Sequence, residues 1–414
     1  MKVIFCMVCC DTAKLFVKNS LYLICCVLLY ACKTDQDARP DQSGLFIKFF
    51  GGFDTEEVYA AEQTPDGGFI SIGTTTSFGN GSTDMYVFRT DENGNKIWHK
   101  TFGDTGKDKG KDLEVLPDGE YVFLGHSTQK DGFSDLNLLK TDKDGNELWS
   151  KTFGRSDRNE EAYSLKKTPD GGFLLIGNSI GADESTDMYI VKTTADGTKE
   201  WERNYGLTNL KDDVGSVQIT NSGNLVWCGS EYRNRTGNTS GSSDMRVTLT
   251  KPEGYVLWDR NYGRENTETG IDIQLVSGGF IVVGTTNTVN TANANTDVYV
   301  VCLFEDGTEW WSNTYGGEKN EEGRSISPTS DGGFIITGST ESEGAGQKDV
   351  YLLKVNRRGE KEWSKTFGGR LDDTGTIVRQ TIDGGYLVAG TVTFENNSMM
   401  CLIKTDHKGE ISGR

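Results

Sequence analysis

Histidine is nearly missing from this chain of 414 residues: only His99, His126 and His407 occur, each in a separate stretch. No histidine-based metal cluster and no nucleophile–base pair can be assembled from so few. Cysteine is equally sparse past the N-terminus. Six of nine lie at or before Cys32, and Cys228, Cys302 and Cys401 fall in separate strand-like runs. That distribution predicts small buried apolar side chains rather than a disulfide framework. Helical periodicity is absent after residue 32, which excludes bundles and doubly wound folds. Positive charge is short as well. Lys and Arg number 43 against 61 Asp and Glu, a formal charge of −18. A chain so acidic does not neutralise phosphate backbones and is not held flat on an anionic membrane.

What is abundant is glycine, 52 residues, and much of it is periodic. Gly73, Gly125, Gly177, Gly229, Gly284, Gly338 and Gly390 follow one another at intervals of 52, 52, 52, 55, 54 and 52. Four residues before each stands Phe69, Tyr121, Phe173, Leu225, Phe280, Phe334 or Tyr386. A period near fifty with strand-like content is the mark of a repeat architecture. Within the first unit, turn clusters such as Pro65-Asp66-Gly67-Gly68 and Asp91-Glu92-Asn93-Gly94 separate four short strand patterns. Four strands per unit, seven times over, predict an all-β fold: a single seven-bladed propeller of four-stranded antiparallel blades.

The termini sharpen this expectation. Six units end on a Trp four residues before Phe-Gly or Tyr-Gly, from Trp98/Phe102 to Trp363/Phe367. The seventh reaches Lys404-Thr405-Asp406 and stops at Arg414 without that strand, whereas Phe46 and Phe50-Gly51 show the same spacing with no unit before them. The N-terminal segment is therefore expected to complete the last blade and close the ring, which removes an exposed sheet edge.

Ahead of the propeller, 44–414, two segments differ in kind. Lys14 and Lys18 precede the apolar run Leu21 to Leu29, which ends in Leu29-Tyr30-Ala31-Cys32. A basic region, a short apolar run and a small residue before the cut predict a signal peptide over 1–31. The Leu-x-Ala-Cys ending resembles the lipobox of bacterial lipoproteins, which implies lipidation of Cys32. Residues 32–43 are polar and predict a flexible tether. Lys33 followed by acidic residues resembles the surface-export signal of Bacteroidota lipoproteins. The address implied is the bacterial outer membrane, with attachment through the lipid alone.

The recurring units, with Asp66-Gly67-Gly68-Phe69, Asp170-Gly171-Gly172-Phe173, Asp331-Gly332-Gly333-Phe334 and Lys151-Thr152-Phe153-Gly154, resemble the secreted bacterial β-propeller repeat family of envelope lipoproteins. The resemblance covers residues 44–414 and implies a fold, not a reaction. Gly94–Trp98 and Gly145–Trp149 are also similar to the blade ending of quinoprotein-type propellers. Asn221–Val226 is similar to a bulb-lectin repeat, without its mannose-binding pattern.

Candidate site residues fall into two groups. Acidic residues recur where the chain enters each first strand: Glu56, Glu57, Glu160, Glu161, Asp212, Asp213, Glu321, Glu322, Asp372 and Asp373, with single aspartates such as Asp84 before the third strands. They read either as a negative rim at the channel mouth or as carboxylates that accept backbone N–H bonds. Their regular repetition favours the structural role. Asp142–Asn146 looks like a calcium loop, but its glycine is misplaced for one, so a hairpin turn is expected. The second group breaks the repeat. The fourth unit has a long loop with Tyr232, Arg233 and Arg235, and Arg246 stands where other units carry Tyr. Loops on a rigid scaffold, bearing Tyr and Arg, are expected binding elements. These observations predict a monomeric, non-catalytic platform for an envelope protein partner, with a glycan-binding module or a glycan-cleaving enzyme as alternatives. No cofactor or metal site is indicated.

Overall fold

The computed structural model describes residues 44–182, 185–205, 212–233, 242–263, 267–287 and 295–411. Turn residues and strand content do locally what the sequence pattern requires: these residues form 28 strands and no helix. In the first repeat, β2 (Glu56–Gln63), β3 (Phe69–Thr75), β4 (Asp84–Thr90) and β5 (Lys96–Phe102) make one antiparallel sheet in chain order. Six sheets are built in this way. The first strands are β2, β6 (Asp108–Val115), β10 (Asn159–Lys167), β14 (Asp212–Ile219), β18 (Glu268–Val276), β22 (Glu321–Pro328) and β26 (Asp373–Gln380). Each touches the next around a circle, β26 returning to β2. The fold is a seven-bladed β-propeller with its first strands lining a central channel.

Ring closure follows the expected route. The seventh sheet runs β1 (Phe46–Phe50), β28 (Ser398–Thr405), β27 (Tyr386–Thr393) and β26, with β1 paired antiparallel to β28 from Phe46↔Lys404 to Phe50↔Met400. Side chains show that β1 is a true fourth strand. In five blades the Trp of the fourth strand packs on the next blade's first core aromatic, as Trp98 does on Tyr121 and Trp363 on Tyr386, while Trp201 packs on the cluster that holds Leu225. Phe46 does the same against Phe69, and Phe50 stacks on Phe88 with centroids 4.1 Å apart. The apolar core comprises seven clusters, each shared between two neighbouring blades. Stability is thus distributed round the ring rather than held in one centre.

The Asp of the Asp-Gly-Gly turns is structural. Asp66, Asp170, Asp331 and Asp383 each pair with a buried cation of the third strand: Arg89, Lys192, Lys354 and Lys404. Partial desolvation opposes ionisation of Asp331, but the Thr329 hydroxyl and Lys354 outweigh it and hold the group down at about 2. The calcium-like Asp142 caps a hairpin, accepting the N–H groups of Asp144 and Asn146. Cys228, Cys302 and Cys401 are free and buried.

Candidate functional site

The periodic glycine explains the wall of the channel. A Cβ on Gly177 would strike the carbonyl oxygen of Glu161 on the adjacent first strand, and one on Gly338 would strike that of Glu322. The close approach accompanies a β-bulge at this point in all seven blades, where the register skips one residue or more. A bulge re-aims the side chain it carries. Here it turns Tyr59, Lys111, Tyr163, Gly215, Ile271, Arg324 and Thr376 onto the wall of one central cavity of about 460 Å³. A ring of seven equivalent positions therefore carries two tyrosines, two cations, an isoleucine, a threonine and a glycine, framed by blades that otherwise repeat.

The frame around this ring is tightly bonded. Residues one step beyond the bulge accept the next blade's backbone N–H: Asp112 from Leu165 at 2.7 Å, Ser216 from Ile273 at 2.8 Å and Asp272 from Ile326 at 3.1 Å. Before the bulge, Ala162 N–H is accepted by His126 Nδ1 at 3.1 Å and Val214 N–H by Asn178 Oδ1 at 3.3 Å. Buried groups are thus satisfied between blades, and the wall is rigid.

Charges in the channel are mixed. At one end Lys166 pairs with Glu114 at 3.1 Å, and Glu62 lies beside them. Enclosure by the channel walls, then the Glu114 charge, raise the Glu62 carboxyl far above its usual range. Lys166 is pushed up as well: burial opposes its charge, but Asp112, Glu114 and Glu62 raise its affinity for the proton. Toward the other end, Lys111 Nζ sits 3.7 Å from the Tyr59 ring centroid. Burial, reinforced by Lys109, pulls Lys111 down to about 8. Tyr163 is pushed up to about 12 by burial and by Glu161 and Asp213, although 39% of its surface remains open to the channel. Arg324 donates to Glu322 at 3.1 Å and keeps 43% of its side chain exposed.

The acidic positions separate into two sets. Glu56, Glu160 and Glu321 are buried and hydrogen-bonded. Glu321 accepts the N–H of Gly317 at 2.7 Å and the hydroxyl of Thr340 at 2.7 Å; Glu56 accepts from Gly52 and Thr75 in the same way. Asp373, rather than Asp372, takes this place in the last blade, accepting from Gly369 and Thr393. Asp108 takes it in the second, where burial and the nearby Asp84 raise its carboxyl to about 6. Each pins the loop between two blades. Asp213 lines the channel, while Glu57 accepts the Tyr59 hydroxyl at 2.5 Å and Glu322 holds Arg324 and Lys348. Of Asp212 only the strand position is described.

Arg246 is engaged within its own blade. Its guanidinium makes two bonds to Asp259, at 3.0 and 2.6 Å, and lies over the Trp227 ring. Tyr232 and Arg233 close β15 (Leu225–Arg233), opposite Ser243 and Ser242, and only their backbone is described. Arg235 and Cys32 lie outside the described residues. The bulge ring escaped sequence reasoning, because it shows only once the residues one after Val58, Gly110 and Gly323 are aligned by strand register. Its signal was a variable position directly after a Val, Gly or Ala in every first strand.

Comparison with known proteins matches this architecture. No family model matches the chain. The regulatory protein FlaEY of Caulobacter vibrioides is 22% identical over 225 residues, 46% of this chain and 23% of that protein. The chain thus spans under a quarter of that relative's length. Among solved structures, Drosophila Plexin A in complex with Semaphorin 1b has a TM-score of 0.51 at 10% identity, covering 87% of this chain and 86% of that one. The WD40 domain of Neurospora crassa Pan2 also has a TM-score of 0.51 at 10% identity, covering 84% and 89%. These likenesses concern the propeller fold alone. An α-L-arabinanase of Penicillium chrysogenum complexed with arabinobiose follows at a TM-score of 0.49, 16% identity, and 72% and 92% coverage. The expectation that the chain is not an enzyme is corrected: a fold does not decide function, so a propeller body gives no ground for setting catalysis aside, and the likeness carries no activity over.

Proposed function

We propose that this chain is an envelope lipoprotein whose propeller holds a protein partner at the mouth of its channel. Residues 1–31 act as the signal peptide, Cys32 carries the lipid, and 32–43 tether the propeller to the outer membrane. The observation that carries the binding role is the bulge ring. Selection for a scaffold alone would let one residue serve at seven equivalent places. Instead the channel wall presents Tyr163 and Arg324, partly open on a rigid frame, and Tyr and Arg are the side chains that most often anchor interfaces. The long loop of the fourth repeat, with Tyr232, Arg233 and Arg235, extends the same role. Recovery of the tagged, lipidated protein from gently solubilised envelope tests this. A stoichiometric partner should be lost on Tyr163→Ala/Arg324→Ala. Unchanged recovery by that double variant would rule out the channel mouth, and unchanged recovery by Arg233→Ala/Arg235→Ala would rule out the loop.

A second reading, glycan cleavage, is favoured by one feature: Glu62, protonated toward neutral pH, beside Glu114. A carboxyl raised in proton affinity beside a second carboxyl suits the acid role at a glycosidic bond. Glu56, Glu321 and Asp373 do not suit it, being consumed by loop bonds. Release of reducing sugar from envelope glycans, abolished by Glu62→Gln, would support cleavage; glycans left intact by the wild-type protein would end it.

A further inference from the structure

The channel cations divide into those with partners and those without. Lys166 is paired with Glu114, Arg324 with Glu322, and Arg379 donates to Ser325 Oγ and the Val378 carbonyl. Lys109 and Lys111 leave β6 on the channel side, two residues apart, and among the described residues neither has an ion pair or a side-chain hydrogen bond. Lys111 has only the face of Tyr59. An enclosed ammonium with no ion pair is costly unless something compensates it. Burial, then Lys109, lower Lys111, and Arg324 from another blade adds to this; the charges of Glu161 and Glu57 oppose the shift without cancelling it. A cation without an ion pair on the wall of a cavity, with Lys109 close behind it, points to an anionic ligand.

The remaining wall narrows its chemistry. Tyr163 offers an aromatic face beside Lys111's blade, whereas the face of Tyr59 is already covered. Ser164, Gln218, Thr269 and Thr376 supply hydroxyl and amide groups around the same space. A volume of about 460 Å³ falls among ordinary small-molecule sites. Polar groups in number, one aromatic platform, the unpaired Lys111 and the half-exposed Arg324 suit a polyhydroxylated ring bearing a carboxylate.

We propose that the channel binds a sugar acid, its carboxylate at Lys111 and Arg324 and its ring against Tyr163. This goes beyond partner docking at the same mouth, and it is read on the purified protein with no partner present, so the two can fail separately. The full chain is titrated calorimetrically with D-glucuronate, D-galacturonate, D-glucose and acetate. One of the two uronates should bind at least about tenfold more tightly than glucose or acetate, the discrimination expected from one charged hydrogen-bonded contact. Lys111→Met should weaken that uronate by a similar factor without lowering the melting temperature. If Lys111→Met fails to fold, Arg324→Met carries the same expectation. Glucose binding equal to the uronates would remove the anion site. Acetate equal to the uronates would remove sugar recognition. No binding by either uronate, or full binding by the folded variants, would overturn the proposal.

Discussion

His126 should make this propeller sensitive to mild acid in a way that a single substitution removes. It lies on β7 (Tyr121–Thr128), 8% exposed, and its Nδ1 accepts the Ala162 N–H at the edge of the bulge that aims Tyr163. An imidazole that accepts at Nδ1 must be neutral. Burial, then Lys111 and Lys109, depress its pKa to about 3 from an ordinary value of 6.5. Between those values the unfolded chain takes up a proton that the folded chain refuses, so stability falls as pH drops below 6.5. At about 1.36 kcal/mol per pH unit the loss is about 1.4 kcal/mol by pH 5.5 and about 2.7 kcal/mol by pH 4.5. The third blade suggests the perturbation, because Asn178 occupies the equivalent place and accepts the Val214 N–H with an amide oxygen that does not titrate. His126→Asn keeps the acceptor and discards the proton. Denaturant midpoints for both proteins at pH 7.5, 6.5, 5.5 and 4.5 measure the difference. Asp108, raised to about 6, works in the opposite direction. It is common to both proteins and cancels when they are subtracted. The variant should gain on the wild type by the amounts given as pH falls. A constant offset at every pH would refute the reasoning.

Two further substitutions test the frame. Glu321→Ala should cost about 3 kcal/mol, since it strands the Gly317 N–H and the Thr340 hydroxyl in a buried junction and leaves the Ser342 N–H with Thr340 Oγ1 alone; Glu322→Ala, at a half-exposed position, should cost under about 1 kcal/mol, and equal losses in thermal denaturation would contradict the division of the acidic pairs. Phe50→Ala should cost about 3–4 kcal/mol by emptying the contact with Phe88, and a melting temperature unmoved by it would deny β1 a part in closing the ring.

The fold was legible because the propeller repeats its instructions. Aromatic, glycine and turn residues recur seven times, so an error in one unit is corrected by six others. Even ring closure was readable, since Phe46 and Phe50 keep the spacing of Trp98 and Phe102. The site was legible only in part. Arg246 broke the repeat and drew notice, but its break is satisfied locally by Asp259 and Trp227. The acidic pairs looked equivalent, although Glu321 turns into the junction and Glu322 toward the mouth. Adjacent strand residues face opposite sides, so a one-residue offset, as between Asp372 and Asp373, exchanges a structural carboxylate for another role.

The bulge is where these two kinds of information meet. Gly177 or Gly338 is invariant across the repeat because the carbonyl of the first strand occupies the space of a Cβ. That same displacement frees one residue per blade from the ladder and delivers it to the channel wall. Freed residues carry no packing duty, so Lys111, Tyr163 and Arg324 could diverge while their neighbours Leu113, Leu165 and Ile326 stayed apolar and buried. In this propeller, the residue that the scaffold constrains most tightly is the one that gives the channel its freedom to vary. Functional chemistry is therefore to be sought one step from the most regular glycines rather than in the longest loops.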